Sequence, residues 1–150
     1  MVRSAVPKDA PLIARMLHDF NTEFGEPTPG PEVLTRRVAA FIDNGEMTYL
    51  LGGEKPNGFA QISFRPSIWA DEPVGYVEEL YVEPDRRGQG IGRAIMEAVI
   101  ALAHDRGAAG MEVVTGEDDT TARRLYESLG FENEIEGEEK SRSLFYELNF

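Results

Sequence analysis

The chain has 150 residues, a length that suits one domain, and 41% of them are apolar, which is enough for a hydrophobic core. Its 15 Lys and Arg residues against 27 Asp and Glu residues give a net charge of −12, so the composition disfavours proteins that bind nucleic acid or an anionic membrane surface. The lack of cysteine excludes disulfides, Cys-ligated zinc and thiol nucleophiles, and two histidines are too few for a histidine-rich metal site, so we expect no metal.

The first half of the chain predicts two helices followed by three strands. After a short strand at Met1–Val6, apolar residues recur at helical spacing over residues 12–24, with Asp9 as the expected N-cap. Pro31 suits the first turn of a second helix. The three strands that follow are expected at Met47–Leu51, Phe59–Phe64 and Val74–Val82.

The second half of the chain predicts a glycine-rich loop, two more helices and three more strands. One helix follows the loop and ends at Gly107, and the next begins at a cap formed by Asp118 or Asp119 and stops at Gly130. The last strands are expected at Met111–Thr115, Phe131–Ile135 and Leu144–Phe150. The order β-α-α-β-β-β-α-β-α-β-β predicts one α+β domain over residues 1–150, with a mixed β-sheet flanked by about four helices.

Two sequence features bear on the location of the protein. No apolar run reaches the ~20 residues that a membrane span needs. The first residues, MVRSAVPKDA, lack the hydrophobic stretch of a signal peptide. We therefore expect a cytoplasmic protein.

A loop rich in glycine and arginine, RRGQGIG at residues 86–92, lies between a strand and a strongly predicted helix. Three glycines at alternate positions let the backbone approach a ligand closely and point several N–H groups in one direction. The helix that follows contributes about half a positive charge at its N-terminus, and Arg86, Arg87 and Arg93 add three full charges. The pattern matches neither the dinucleotide fingerprint nor the Walker loop, so it predicts a different phosphate or pyrophosphate site.

This loop and the strand before it resemble the acetyl-CoA-binding segment of the GNAT superfamily of N-acetyltransferases. The resemblance runs over LYVEPDRRGQGIG at residues 80–92. A second segment, ARRLYESLGF at residues 122–131, is similar to the family pattern A-x-x-L-Y-x-x-x-G-F, and the order of elements matches as well. The resemblance implies the GNAT fold, acetyl-CoA as the acetyl donor, an amine acceptor and, as an option common in that family, a homodimer.

The resemblance also implies which residues hold the cofactor. Main-chain groups of Leu80 and Val82 would pair with the pantetheine arm as an added strand, and the amides from Arg87 to Gly92 would hold the pyrophosphate. Asp119 stands where the family often has Asn, so one contact to pantetheine would lose a hydrogen-bond donor. The complete implied set is Leu80, Tyr81, Val82, Arg87, Gly88, Gln89, Gly90, Ile91, Gly92, Arg93, Asp119 and Arg123.

Acetyl transfer to an amine calls for a base and an acid. Deprotonating an alkyl amine of pKa ~10.4 at pH 7 costs roughly 4.6 kcal/mol, and without cysteine a direct attack is the simplest route. The resemblance implies that Tyr126 lies near the sulfur of CoA and protonates the leaving thiolate. Glu78 and Glu79 are adjacent in an apolar strand, so we expect them on opposite faces. The resemblance implies a catalytic carboxylate on the same face of the strand as residue 80, which selects Glu78 as the base and leaves Glu79 to bind the amine. The alternative is that both carboxylates form salt bridges at the edge of the strand.

The acceptor is predicted from a further likeness. The stretch from Gly58 to Val82, with a tryptophan in its loop, is similar to the spermidine/spermine N-acetyltransferase branch, which implies a polyamine-like amine. The expected substrate-binding residues are Trp69, Glu79, Asp19 and Glu23. An aminoglycoside, an amino acid or a protein amine stays open as the acceptor, and so does a module that binds acyl-CoA without turnover. Salt adaptation would explain the acidic surplus equally well.

Overall fold

A five-stranded mixed β-sheet with helices on both faces forms the centre of the structure, a computed structural model that describes residues 1–133 and 145–150. The chain divides into two compact units, residues 1–114 and residues 115–150. The helices are α1 (Ala10–Glu23), α2 (Pro31–Asn44), α3 (Ile91–Asp105) and α4 (Thr120–Ser128). The strands are β1 (Val2–Ser4), β2 (Thr48–Gly52), β3 (Gly58–Arg65), β4 (Val74–Val82) and β5 (Gly110–Val113).

The strands of the sheet lie side by side in chain order, β1-β2-β3-β4-β5. The first four are antiparallel, while β5 pairs with β4 in parallel after the chain has crossed over through α3. This arrangement confirms the predicted α+β class, the mixed sheet and the two-helix start of the chain. No helix among the described residues is long and apolar enough to span a bilayer.

The face of the sheet that α1 and α2 cover holds the larger part of the core. Alternate side chains of three strands point to this face because successive residues of a strand point to opposite sides. Together with α1 and α2 they bury Ile13, Met16, Val38, Tyr49, Leu51, Phe59 and Tyr81. The predicted helical spacing of α1 and α2 is confirmed by this packing.

The opposite face of the sheet packs against α3 at a pair of glycines. Gly52 of β2 and Gly58 of β3 lie opposite each other in the antiparallel register. A Cβ atom added to Gly52 would lie 2.5 Å from Cγ1 and 2.7 Å from Cδ1 of Ile95, which is fully buried. The absence of side chains at these two positions therefore lets α3 approach the sheet closely.

Asp9 is the N-cap residue of α1, as predicted, but its side chain accepts no hydrogen bond from the helix. A 3₁₀ turn at Pro7–Asp9 precedes the helix, and Asp9 accepts from the Val6 amide at 2.9 Å rather than from the first turn of α1. Arg3 donates two further hydrogen bonds to the same carboxylate at 2.8 and 2.9 Å, and these bonds lower the pKa of Asp9 to about 2. Asp9 thus ties the end of β1 to the start of α1.

The two C-terminal strands are not observed in the described residues. Residues 131–133 and 145–150 belong to no strand, and residues 134–144 lie outside the described residues. The amide of Phe131 donates instead to the Tyr126 carbonyl at 3.0 Å, within the glycine stop that was predicted after α4. An alternating apolar pattern forms a strand only where a neighbouring strand pairs with it and one face is buried. The side chains of Phe145, Tyr146, Leu148 and Phe150 are exposed, so this segment has no such neighbour among the described residues.

We expect that Gly52→Ala lowers the free energy of unfolding by about 1–3 kcal/mol, because the new methyl group must displace Ile95 or the strand. Urea denaturation followed by circular dichroism measures the change. Gly110→Ala in β5 is the matched control, since a Cβ atom there has no heavy atom within 4 Å. Equal stability of the two variants would contradict the close approach of α3.

Candidate functional site

A β-bulge in the middle of β4 marks the centre of the site. Gln61 of β3 pairs with Glu79, but the next residue of β3, Ile62, pairs with Val77, so Glu78 is an extra residue in β4. The parallel pairing with β5 covers only residues 74–77 of β4 and ends beside the bulge. The two strands therefore part at this point, and β4 continues with one edge that no described strand covers.

The bulge overturns the expectation that Glu78 and Glu79 point to opposite faces. Glu78 accepts a hydrogen bond of 2.6 Å from the hydroxyl of Ser63, and Ser63 shares the face of Gln61, two residues earlier in β3. Gln61 and Glu79 line the same cavity on the side of α1 and α2. Because the extra residue breaks the two-residue period of the strand, both carboxylates lie on the face that α1 and α2 cover, and Glu78 does not share the face of residue 80.

The carboxylate of Glu78 is held in a compact ion-pair cluster. Besides the Ser63 hydroxyl, the Nη2 atom of Arg65 donates to it at 2.5 Å, and Nε of Arg65 donates to Ser63 at 3.2 Å. The guanidinium carbon of Arg65 in turn lies 3.9 Å from the centre of the Tyr76 ring. The carboxylate of Glu78 is therefore paired with a neighbouring cation and held in place by the Ser63 hydroxyl.

The carboxylate of Glu79 has a different environment. No described residue donates a hydrogen bond to it or forms an ion pair with it. Burial raises the pKa of Glu79, and the negative charge of Glu78 raises it further. A carboxylate with a raised pKa that faces a cavity is a candidate for proton transfer.

The cavity that Glu79 faces lies between α1, α2 and the sheet and has a volume of about 230 Å³. Its apolar part is formed mainly by α2, and its polar part by side chains from β2, β3, β4 and both helices. The lining residues are Leu17, Asn21, Thr28, Pro29, Leu34, Arg37, Val38, Phe41, Tyr49, Gln61 and Glu79. The arrangement can hold a small molecule with its reactive group next to Glu79.

The uncovered edge of β4 presents backbone groups for hydrogen bonding. The amide of Glu83 donates to the carbonyl of Asn57 at 2.9 Å, so the backbone of Glu83 faces β3. Because backbone groups alternate in direction along a strand, those of Tyr81 also face β3, while those of Leu80 and Val82 face the open edge. The Val82 carbonyl accordingly accepts from Nε of Arg87 at 2.9 Å. The remaining groups of Leu80 and Val82 can pair with an extended ligand.

The glycine loop presents a row of backbone donors. Gly88 and Gly90 have φ angles of 75° and 81°, a left-handed conformation that glycine adopts without strain, and Gly90 is the N-cap of α3. The amides of residues 88–92 donate to no acceptor among the described residues. Five free amides at the N-terminus of a 15-residue helix form a site for an anion such as a phosphate group.

The arginines around this loop are paired with acids. Arg87 donates from Nη1 and Nη2 to both oxygens of Glu23 at 2.7 Å, which lowers the pKa of Glu23. Arg93 lies 3.5 Å from Glu97, and Arg86 lies 3.8 Å from Asp85. Each of these arginines thus has an acidic neighbour, and the free backbone amides of the loop add to its attraction for an anion.

The structure separates the predicted substrate-binding residues. Of the four, Glu79 lines the cavity, whereas Asp19 forms an ion pair with Arg15 at 3.3 Å and Glu23 binds Arg87. The side chain of Trp69 is 93% exposed in the loop between β3 and β4. These three residues do not line the cavity.

The remaining predicted residues lie in the second unit, on and before α4. Asp119 is the N-cap of the helix and accepts from the Ala122 amide at 3.0 Å, so one of its oxygens serves the helix itself. Arg123 donates to the Glu117 carbonyl at 2.9 Å. Tyr126 is buried against Phe131, and burial together with the nearby Asp119 raises the pKa of Tyr126 to about 12.

Several residues of the cavity were not anticipated from the sequence. Arg37 lies in the apolar pattern of α2, and Gln61 interrupts the apolar run of β3, so an unexpected polar residue was the available signal for both. No local signal marked Ser63 and Arg65 as partners of Glu78. Among the described residues, no group of three or more His, Asp or Glu side chains could hold a metal ion.

The comparisons with known proteins agree with this geometry. Residues 13–131 match the model of the acetyltransferase (GNAT) family. A crystal structure of a presumed acetyltransferase from Arthrobacter sp. FB24 is 43% identical in sequence and superposes with a TM-score of 0.89. The match covers 98% of this chain and 94% of the Arthrobacter chain. An aminoglycoside N(6')-acetyltransferase type 1 from Stenotrophomonas maltophilia is 29% identical over 87% of this chain and 85% of its own length.

A mycothiol acetyltransferase from Thermobispora bispora is 45% identical over 62 residues, and that match spans 41% of this chain and only 21% of the relative. The names of these relatives show that different members of the family act on different substrates. Family membership therefore establishes the type of enzyme, an acetyltransferase, and it leaves the acceptor open. On the match over residues 13–131, the chain belongs to the acetyltransferase (GNAT) family.

Proposed function

We propose that this protein transfers an acetyl group from acetyl-CoA directly to the primary amine of a small acceptor that enters as a cation. The observation that carries the proposal is the open edge of β4, which runs from the glycine loop to a bulge where an unpaired, half-buried carboxylate faces a cavity. Donor and acceptor would thus meet beside Glu79.

The geometry fits acetyl-CoA, which supplies the activated acetyl group as a thioester. The free amides of residues 88–92 suit a pyrophosphate, and the backbone of Leu80 and Val82 suits the amides of pantetheine. Arg87 contributes indirectly in this arrangement, because it holds the carbonyl of Val82 and the carboxylate of Glu23. The predicted cofactor residues of the first unit thereby fall into a loop part and a strand part.

We assign the base to Glu79 rather than to Glu78. An ammonium group of pKa ~10.4 must lose a proton before it attacks, at a cost of roughly 4.6 kcal/mol at pH 7. Glu78 is engaged in an ion pair with Arg65 and a hydrogen bond from Ser63, whereas Glu79 is unpaired among the described residues and its pKa is raised by burial and by the charge of Glu78. A higher pKa makes a carboxylate a stronger base at neutral pH. Glu78 would then act by keeping Glu79 basic.

The acid is Tyr126 in this proposal, an assignment that the family motif in α4 supports. With a pKa of about 12, the phenol is protonated throughout the physiological range. A phenol of this pKa is a weaker acid than a thiol of pKa ~8.5, so it stabilises the leaving thiolate by donating a hydrogen bond, and complete proton transfer is uphill. Its contribution is greatest while negative charge develops on the sulfur.

The polyamine acceptor that the sequence favoured has limited support from the cavity. A polyamine carries several cations and calls for several free carboxylates, but Asp19 and Glu23 are engaged with arginines and Glu79 alone lines the cavity. The exposed Trp69 could contact an acceptor only outside the cavity. We therefore keep the class of acceptor at a small primary amine in this proposal.

Release of CoA in the presence of a panel of amines tests the proposed function. We expect a thiol reagent to detect CoA only when acetyl-CoA and a small primary amine are both present. Mass spectrometry should find the acetyl group on the amine nitrogen. Retained binding of acetyl-CoA with no turnover on any amine would contradict the enzyme and leave a binding module.

Gly90→Ala should weaken binding of acetyl-CoA about tenfold or more, because the new side chain strains the left-handed N-cap and turns the free amides away from the ligand. Calorimetry measures the dissociation constant. Gly107→Ala is the matched control: it has a φ angle of 66°, has no heavy atom within 4 Å of the added Cβ, and lies beyond the other end of α3. An equal effect of both variants would indicate general strain rather than a role for the loop.

Glu79→Gln should lower kcat/KM about 100-fold or more and remove the acidic limb of the rate–pH profile. The sign follows from the base being active when deprotonated: activity falls as the pH drops through the pKa of Glu79, which is raised above its usual value. Glu78→Gln removes a negative charge that raises this pKa, so we expect its acidic limb at lower pH. Loss of the limb in Glu78→Gln alone would make Glu78 the base.

A further inference from the structure

The wall of the cavity opposite the sheet carries a positive charge. Leu34, Arg37, Val38 and Phe41 of α2 line the cavity at positions i, i+3, i+4 and i+7, which form one face of a helix. Arg37 is therefore directed to the cavity by the same periodicity that directs its apolar neighbours. Arg36, the preceding residue, does not line the cavity.

From this face we propose that the acceptor carries a carboxylate as well as the amine, as a free amino acid does, and that Arg37 binds the carboxylate. The inference rests on the proposed function and specifies its acceptor. It makes Arg37 a specificity-determining residue, because the chemistry takes place at the amine and Arg37 binds the other end of the molecule.

The charge of Arg37 is not used within the protein. No described residue forms a hydrogen bond or ion pair with its side chain, although the chain carries 27 acids and pairs Arg3, Arg15, Arg65 and Arg87 with carboxylates. A guanidinium group binds a carboxylate through two parallel hydrogen bonds, which is its preferred recognition geometry. Arg37 is thus available to a ligand in the cavity.

The cavity has two charged poles with apolar surface between them. Glu79 and Arg37 both line it, and Leu17, Val38 and Phe41 contribute apolar surface to the same walls. A zwitterion satisfies both poles at once, whereas the second ammonium of a diamine would meet the charge of Arg37.

The size of the cavity supports the same class of acceptor. A volume of about 230 Å³ is below the ~300–1,000 Å³ of pockets that enclose drug-sized ligands. A free amino acid fits this space. Charge and volume therefore point to one kind of small molecule.

Matched pairs of acceptors that differ only in the carboxylate test the inference. L-lysine is compared with cadaverine, and L-alanine with ethylamine, by the release of CoA. We expect kcat/KM to favour the amino acid of each pair about tenfold or more. Arg37→Gln should abolish this preference through a higher KM for the amino acid, and Arg36→Gln, the neighbouring control, should retain it. Equal or better use of the diamine, or a preference that survives Arg37→Gln, would overturn the inference.

The outcome for the acceptor can be separated from the outcome for the enzyme. If no amine is acetylated, the proposed function fails, and calorimetric titration of the same pairs into the protein with CoA still tests the site. Stronger binding of L-lysine than of cadaverine that Arg37→Gln removes would support a carboxylate site. Equal binding of the two by the unaltered protein would refute it.

Discussion

The bulge at Glu78 is the constraint on which the arrangement of the site depends. One extra residue in β4 shifts its register against β3 and brings two neighbouring carboxylates to the same face of the sheet. The pairing of β4 with β5 ends at Val77, so the backbone beyond the bulge keeps free hydrogen-bonding groups on its open edge. A single irregularity thus lies beside both the strand edge and the carboxylate to which the proposed function assigns the donor and the acceptor.

Although the net charge is −12, ion pairs engage several of the charged side chains around the site. Ion pairs occupy the arginines of the glycine loop and two acids of α1, Asp19 and Glu23. At the two parts of the site described above, the groups without a partner among the described residues are the row of backbone amides before α3 and, in the cavity, the side chains of Glu79 and Arg37. Backbone amides have no counter-ion within the chain, so their attraction for an anion persists in an acidic protein. This division is consistent with the proposed binding of a polyphosphate and an amine by one acidic chain.

Local patterns predicted most of the fold. The helical spacing in α1, α2 and α3, the strands β2 to β4, and the glycine stop after α4 each depend on residues close together in the chain. The C-terminal strands were not found in the described residues, because a strand also needs a neighbour that the local pattern does not supply. The same limit applies to the faces of Glu78 and Glu79, since the two-residue period of a strand does not reveal where a bulge interrupts it.

Two sequence motifs, the glycine loop and the pattern in α4, were enough to predict the family, and the family model confirms that prediction. The roles of Tyr126 and of the cofactor residues stay predictions. Which carboxylate is unpaired and which arginine faces the cavity depends on contacts between strands and helices that are far apart in the sequence. The physical reason is that charge is available for binding only where no partner neutralises it. Those partners, such as Arg65 for Glu78, come from other strands and helices, brought together by folding.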